Sequence, residues 1–569
     1  MVFGGGVFLL GIGLALSAGS LAVPVEYAVL FALLCAPGYA AARRLVRRFA
    51  FDPAVTLTLA FAVTALGGYL AFWCYFFSAT AGKAVAVLWI LAALASLAVL
   101  ARRKMPRDEA VPLALTFAAG LFYLAVLYLP AVGIDAAHRF FVVRPPDNVL
   151  PVMIAEHLYR GEDLHHVLGD WLSSDRPPLQ TGIILLVRPV FRLFGNDPNA
   201  AFEIAGLFAQ LVWIPATWLL CAHARFAPLR RALILAFMVF SGFFLYNTVY
   251  TWPKLLAAGL CVAAFVFALP SRRENRDAAL TVSGICAALA LLAHGSAVFF
   301  IVPALVVLLV MRRLPLSRGL VMAAVAGTVL LVPWSAYQKY YDPPGDRLLK
   351  MHLAGINDVD PRPALTAIRQ AYQQTPPAQI LENKKANVLT ALGDAPLLVA
   401  AMIGEPDDAL SMWRLREREQ ITFALGAANL GWLALPWWWS TRRDPAERRW
   451  VAGLLGIAVI SALFWCAVMW GPGATVTTHS AYVLDLLLFV VTGAALAALP
   501  IRLALAVLAL AVIDLVVTWI AGSLGDAWRT APSLDPVMIA VALAAALATG
   551  VLLIAAARAP DASAPAPRA

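Results

Sequence analysis

Apolar runs separated by short basic or polar punctuation recur along almost the whole chain. Each run is about 20 residues long, the length a helix needs to cross the hydrocarbon core. A helix satisfies its own backbone groups in lipid, so the pattern predicts an all-α, polytopic integral membrane protein. The runs fall near residues 5–22, 25–42, 54–78, 84–101, 110–131, 200–222, 232–250, 254–270, 278–293, 296–311, 319–335, 421–439, 450–470, 481–499, 503–521 and 536–557, about 16 transmembrane helices in all. The first run, near Val7–Leu21, lacks a basic leader and reads as a retained span, not a cleaved signal.

The punctuation sets the orientation. Basic clusters at Arg43–Arg48, Arg102–Arg107, His223–Arg231, Arg272–Arg276, Arg312–Arg318, Arg442–Arg449, Arg502 and Arg558 mark cytoplasmic loops. With the N-terminus inside, the span at 110–131 exits to the far side and the loop Asp135–Asp175 lies outside the cytoplasm. The next apolar run, Leu179–Phe194, is short and carries Arg188, Pro189 and Arg192, so it is expected to lie as an amphipathic helix on the outer interface. Every later basic cluster then falls inside, while Tyr246–Lys254, His294-Gly295, Trp334 and the long polar segment Ser335–Gln420 fall outside. Within that segment Pro363–Gln374 and Pro377–Leu392 predict short surface helices. The expected organisation is 1–109 as accessory N-terminal helices, 110–335 as a core with its outer loop at 132–199, 336–420 as an extracytoplasmic loop region, 421–557 as C-terminal helices, and 558–569 as a disordered Ala/Pro-rich tail.

Composition agrees. The 569 residues are 62% hydrophobic and 13% charged, with a mean hydropathy of +0.80, which excludes an ordinary soluble protein. The net charge of +10 resides in the clusters between spans, so it reflects topology and not nucleic-acid binding. The cysteines, Cys35, Cys74, Cys221, Cys261, Cys286 and Cys466, all lie in apolar runs with neither a disulfide framework nor metal-ligand spacing.

The chemistry concentrates in Asp147–Gln180, a patch of carboxylates, histidines and arginines between the apolar runs. Asp147 and Asn148 precede a helix with Pro151 in its first turn, so Asp147 reads by itself as an N-cap stabilising that helix by about 1 kcal/mol. Leu150, Met153, Ile154 and Leu158 recur at helical spacing, with Glu156, His157 and Arg160 on the remaining surface. That pattern predicts an amphipathic helix on the outer leaflet. Asp163, His165, His166 and Asp170 read as a solvated loop, since adjacent histidines rarely face one ion; no metal site is assigned, and a divalent cation is the one cofactor left open. Lys254, at the outer end of a span, is either a phosphate ligand or a snorkelling lysine beside a belt tryptophan, Trp252. Arg347 and Lys350, after the turn Asp342–Gly345, either reach a phosphate or solvate the loop.

These residues carry a resemblance. An Asp just after a core span, a helix ending Leu158-Tyr159-Arg160-Gly161, the run Asp175-Arg176-Pro177-Pro178-Leu179 and a later Phe194-Gly195 resemble the GT-C membrane glycosyltransferases. The nearest groups are the protein O-mannosyltransferases and the lipid A aminoarabinose transferases. Leu291–Gly295, Pro333-Trp334 and His479–Leu486 extend the likeness over roughly residues 110–490. The chain departs from it where Asn148 stands in place of a Glu and His294 in place of a Lys. The resemblance implies inverting transfer of a sugar from a polyprenyl-phosphate donor to an extracytoplasmic lipid, glycan or protein. Asp147 would be the general base. Lys254, Arg176, His294, Arg347 and Lys350, with Arg139 and Arg144 on the same face, would hold the donor phosphate. Glu156, Asp175, His479 and Tyr482 would lie toward the acceptor or behind those groups. High alanine and arginine with little lysine suggests a GC-rich bacterial source, so the expected location is the bacterial inner membrane with the site on its periplasmic face.

Two other functions fit less of the chain. A lipid-linked glycan ligase or polymerase would place its basic groups in a late outer loop, whereas here they come early. A transporter or flippase would show charges in mid-bilayer and repeated halves; Glu26, Glu203 and Asp514 are the clearest such charges, and no repeat is evident.

Overall fold

The computed structural model describes residues 21–130, 147–165, 167–169, 171–194, 198–269, 273–314, 316–392, 421–441, 444–471, 481–521 and 533–558. The chain opens with α1 (Ala22–Arg48), α2 (Thr56–Phe77), α3 (Ala79–Ala101) and α4 (Arg107–Leu127). Two short helices of the first loop follow, α5 (Leu150–Arg160) and α6 (Leu179–Val187). The middle of the chain holds α7 (Pro198–Gln210), α8 (Trp213–His223), α9 (Pro228–Val239), α10 (Gly242–Val249), α11 (Lys254–Ala268), α12 (Arg276–Ala293), α13 (Val298–Val310) and α14 (Arg318–Ala336). The second loop carries α15 (Arg347–Ala354), α16 (Ala364–Gln374) and α17 (Pro377–Leu392), and the chain returns through α18 (Ile421–Ala424), α19 (Leu430–Thr441), α20 (Pro445–Val468), α21 (Ala481–Leu496), α22 (Ile501–Asp514) and α23 (Pro536–Ala557). Among the described residues ten helices are long and apolar enough to cross a membrane, or eleven if α9 and α10 form one broken span; α11, Gly295–Val310 and Tyr482–Leu496 are shorter apolar helices. Described helices lie at the expected positions from 25–42 onward, but the ten or eleven of them long enough to span fall short of the roughly 16 expected; residues 5–20 of the first run lie outside the described residues.

Pro37 illustrates how spans are made in an apolar medium. Lacking an N–H, it leaves the Leu33 carbonyl of α1 without a helical donor. The Trp89 indole of α3 donates to that carbonyl at 3.1 Å, and the Thr64 hydroxyl of α2 donates to the Leu34 carbonyl at 2.9 Å. Neighbouring helices thus re-satisfy the backbone that proline disturbs. The bend of 63° between α9 and α10 has a similar local cause. Ser241 is extended there and caps the Phe244 N–H, while Trp519, from a π-helical turn at Leu515–Ala521, fills the space a side chain at Gly242 would need.

Side-chain contacts join the basic clusters across one face. Arg43 pairs with Glu109 at 3.3 Å, Arg107 donates to the Ala555 carbonyl at 2.7 Å, and Asn275 donates to the Ala50 carbonyl at 3.3 Å. Arg276 donates to the Arg313 carbonyl at 3.0 Å, and Arg230 forms an ion pair with Glu447. The helix ends that bear the candidate site meet one another instead, as described below. The threading drawn from basic clusters alone therefore assigns these loops to common sides.

Three expectations are corrected. The segment Leu179–Phe194 does not lie on the interface along α6, whose residues are all buried. Gly182 and Gly68 are in backbone contact, which lets α6 dock on α2, and its one amide, Gln180, is satisfied inside the protein by the Thr251 carbonyl. The span expected at 421–439 is broken by a 3-10 turn at Gly426–Asn429. The span expected to end at 335 continues as a π-helical turn to Tyr341. In the second loop the surface helices appear where the pattern placed them, as α16 and α17.

Cysteines placed at the exposed positions Glu162 and Gln374 should react with a membrane-impermeant thiol reagent in intact cells, whereas one at the exposed Arg313 should react only after lysis. The native thiols give little background, since Cys74 is partly buried and the others are buried. Reaction of all three positions from the same side would break the threading.

Candidate active site

The site is organised by the segment Tyr250-Thr251-Trp252-Pro253, which joins α10 to α11 without being helical. Thr251 holds a φ of +56°, a conformation that β-branched residues rarely adopt. Its neighbours supply donors to the exposed backbone. Asn148 donates to the Tyr250 carbonyl at 3.1 Å and Gln180 to the Thr251 carbonyl at 2.6 Å. Gln210 donates to the Gln180 side-chain oxygen at 3.2 Å and accepts from the Leu256 N–H at 3.1 Å. Gly206 of α7 packs directly on the Thr251 side chain. The first loop is thereby fastened onto the start of α11.

Lys254 opens α11 and is 1% exposed, so it does not snorkel. Its ammonium lies 3.5 Å from the centroid of the Trp252 ring and 5.1 Å from that of Tyr482. Tyr482 is bonded in turn to the Asn247 side-chain oxygen. His294, at the turn between α12 and α13, accepts the Ser296 N–H on Nδ1 at 3.1 Å. Nδ1 is therefore unprotonated and Nε2 carries the hydrogen, which makes His294 a neutral donor. Burial holds its pKa well below the usual histidine value, and the nearby charges of Lys254, Arg176 and His352 lower it further. Lys254 from α11, Arg176 from the first loop and His352 from α15 thus all act on His294, whose ring lies edge-on to Trp252 with the centroids 6.5 Å apart.

Arg176 is buried, lies 4.9 Å from the Trp171 ring centroid, and is pulled down to about 10 by burial. Arg347 covers the same ring at 5.5 Å and donates to Asp175 Oδ2 at 3.3 Å. Asp175 Oδ2 also accepts the Leu172 N–H at 3.1 Å, while Oδ1 is buried and accepts no hydrogen bond among the described residues. Burial pushes this carboxyl up to about 6, against the pull of the Leu172 N–H and Arg347. Asp342 ties the two loops together, accepting from the Ser173 hydroxyl at 2.7 Å and the Ser174 N–H at 2.8 Å.

Other sequence candidates sit differently. Lys350 is fully buried against Asp346 and the Asp360 carbonyl, a pairing that shapes the second loop. Glu156 is held by Arg188 at 2.9 Å and by Arg160 at 3.4 Å, neither of which belongs to the gathered cations. Asp163 pairs with His165 at 2.9 Å, while His166, Asp170, Arg139, Arg144 and His479 lie outside the described residues. Asp147 begins a 3-10 turn, Asp147–Val149, whose backbone is fixed beside the Tyr250 loop through Asn148.

Sequence reasoning missed His352, Trp171, Gln180, Gln210 and Asp485. Gln180 and Gln210 are lone amides inside apolar runs, a signal that a backbone needs satisfying nearby. Asp485, fully buried in α21 one turn from Tyr482, makes no hydrogen bond among the described residues. A carboxylate within so apolar a run is itself the signal for it.

No family model and no curated protein matches the chain. Among solved structures, ArnT from Cupriavidus metallidurans bound to undecaprenyl phosphate aligns at 13% sequence identity, with 78% of this chain and 76% of that chain covered and a TM-score of 0.45. The functional reading rests on the geometry of the site.

A carboxyl whose folded pKa lies above its ordinary 3.8 contributes stability that is complete below about pH 4 and lost as pH rises through about 6. Ionising it costs roughly 3 kcal/mol more in the folded than in the unfolded chain. Asp175→Asn should therefore unfold at the same or a higher temperature than the native protein at pH 7.5, with the difference closing toward pH 4. A clear loss of stability at pH 7.5 would show that the Arg347 pair outweighs burial.

Proposed function

We propose that this chain is an integral-membrane glycosyltransferase of the GT-C kind, moving a sugar from a polyprenyl-phosphate-linked donor to an acceptor on the face opposite the basic clusters. The observation that carries the reading is a pair of buried cations, Lys254 on the Trp252 ring and Arg176 on the Trp171 ring, which both act on the neutral donor His294 at the end of the helical core. A phosphate placed there would meet cations already fixed in a desolvated setting, where their attraction is little screened. A phosphodiester carries one negative charge, and the departing polyprenyl phosphate gains a second as the sugar leaves. Cations fixed beforehand therefore stabilise the transition state more than the ground state.

The acceptor must lose a proton as its oxygen or nitrogen bonds to the anomeric carbon. Asp147 is assigned this proton, since its turn is anchored beside the Tyr250–Lys254 segment by Asn148. Attack from the side opposite the phosphate inverts the anomeric centre. The rings of Trp252, Tyr482 and Trp171 exclude water that would compete with the acceptor.

Lys254→Ala should raise the donor KM and lower kcat/KM by about tenfold or more in a purified assay, with expression unchanged. Unaltered donor dependence would return Lys254 to a packing role under Trp252. The N-cap of α5 is Val149, without a side-chain cap, so Asp147 does not cap that helix, and Asp147→Asn keeps size and hydrogen-bonding capacity while removing the basic charge. Transfer should fall by roughly 10²-fold or more with donor affinity retained. Turnover near the native rate would remove Asp147 from the mechanism.

A further inference from the structure

A second feature runs along the flank of the helices and reaches the basic face. A groove of about 810 Å³ runs between α1, α4 and α23, within the size range of small-molecule sites, roughly 300–1,000 Å³. Its walls owe their depth to alanines one turn apart, Ala28, Ala32 and Ala36 on α1 and Ala110, Ala114 and Ala118 on α4. Along α1 it extends from Pro24 to Tyr39, about 22 Å at the helical rise. Its lining is almost wholly apolar, which suits a hydrocarbon chain.

At the basic face the groove ends beside a small pocket of about 90 Å³ lined by Arg43, Arg44, Arg47 and Arg103, and Leu100 forms part of both walls. Arg43 is neutralised by Glu109, which also accepts from Tyr39. Arg44, Arg47 and Arg103 make no ion pair among the described residues. Charge kept in cytoplasmic loops accounts for arginines at these helix ends. It does not account for their convergence from α1 and from the turn after α3 on a pocket that continues into a hydrocarbon-lined groove.

We propose that groove and pocket together bind an anionic phospholipid of the leaflet on the basic face, its phosphate among Arg44, Arg47 and Arg103 and an acyl chain along α1 and α4. Basic pockets between spans on this side of a membrane are suited to such headgroups. The site is separate from the proposed catalytic centre and does not rest on its function.

The test uses the full chain in nanodiscs of phosphatidylcholine with a minor share of phosphatidylglycerol, followed by native mass spectrometry of the released protein. The native protein should keep phosphatidylglycerol in preference to phosphatidylcholine. The combined variant Arg44→Gln, Arg47→Gln, Arg103→Gln should lose that preference at least tenfold while remaining folded, its changes being at the surface. Ala114→Trp should lose retention by filling the groove, with Ala114→Leu as the milder version should the first not fold. Equal retention of both lipids by the native protein, or undiminished phosphatidylglycerol on the arginine variant, overturns the proposal. Loss on the arginine variant but not on either groove variant overturns it too, by reducing the effect to surface charge.

Discussion

A helix in lipid may be interrupted only where something else supplies its hydrogen bonds, and the Tyr250–Pro253 segment obeys that constraint. Its carbonyls are taken by Asn148 and Gln180, and Gln210 serves both Gln180 and the Leu256 N–H. The first loop, α6 and α7 are therefore held to the start of α11 by polar bonds inside an apolar surround, where an unmade bond costs about 1–3 kcal/mol. Lys254 stands where it does because α11 begins there. The backbone accounting and the placement of the cation are one arrangement.

Electrostatics follow from that placement. Burial makes charge unfavourable, so each ionisable group near Lys254 either has a partner or gives up its charge. His294 remains neutral because Ser296 occupies its Nδ1 and its neighbours are cationic. Asp175 stays close to the boundary between its two states, held up to about 6 by burial although Arg347 is bonded to it. A group retained in such a setting at the expense of stability is more readily explained by what the site does than by what holds the fold together.

Much of the fold was legible because its causes are local. Apolar length marks spans and arginine marks one face, and the contacts of Arg43, Arg107, Asn275 and Arg276 join loops that the basic clusters had already assigned together. The buried position of α6 was not legible, since it depends on Gly182 meeting Gly68 more than a hundred residues away in the chain. The site divides similarly. Lys254, Arg176, His294 and Asp175 stood out as charges or motif members at helix ends. His352 did not, because nothing in an exposed-looking loop helix says that its charge acts on His294, and Lys350, two residues earlier and on another side of the helix, is the more conspicuous cation.

The second loop covers the site, and its attachments are unequal. At the outer edge His165 lies between the Asp163 carboxylate at 2.9 Å and the Tyr341 carbonyl at 3.0 Å. Both partners are acceptors, so both bonds exist only with the imidazolium; the hydrogen bond to Asp163, then that to Tyr341, raises the His165 pKa. This attachment is complete below the ordinary histidine value and lost as pH rises through the raised one, and its exposure makes it weak. The inner edge is different. Asp342 with Ser173 and Ser174, and Arg347 with Asp175, are buried, and their bonds are unscreened by water. These bonds hold Arg347 to Asp175 beside Arg176, so the contact that joins the two loops and the charge balance within the site depend on the same carboxylate.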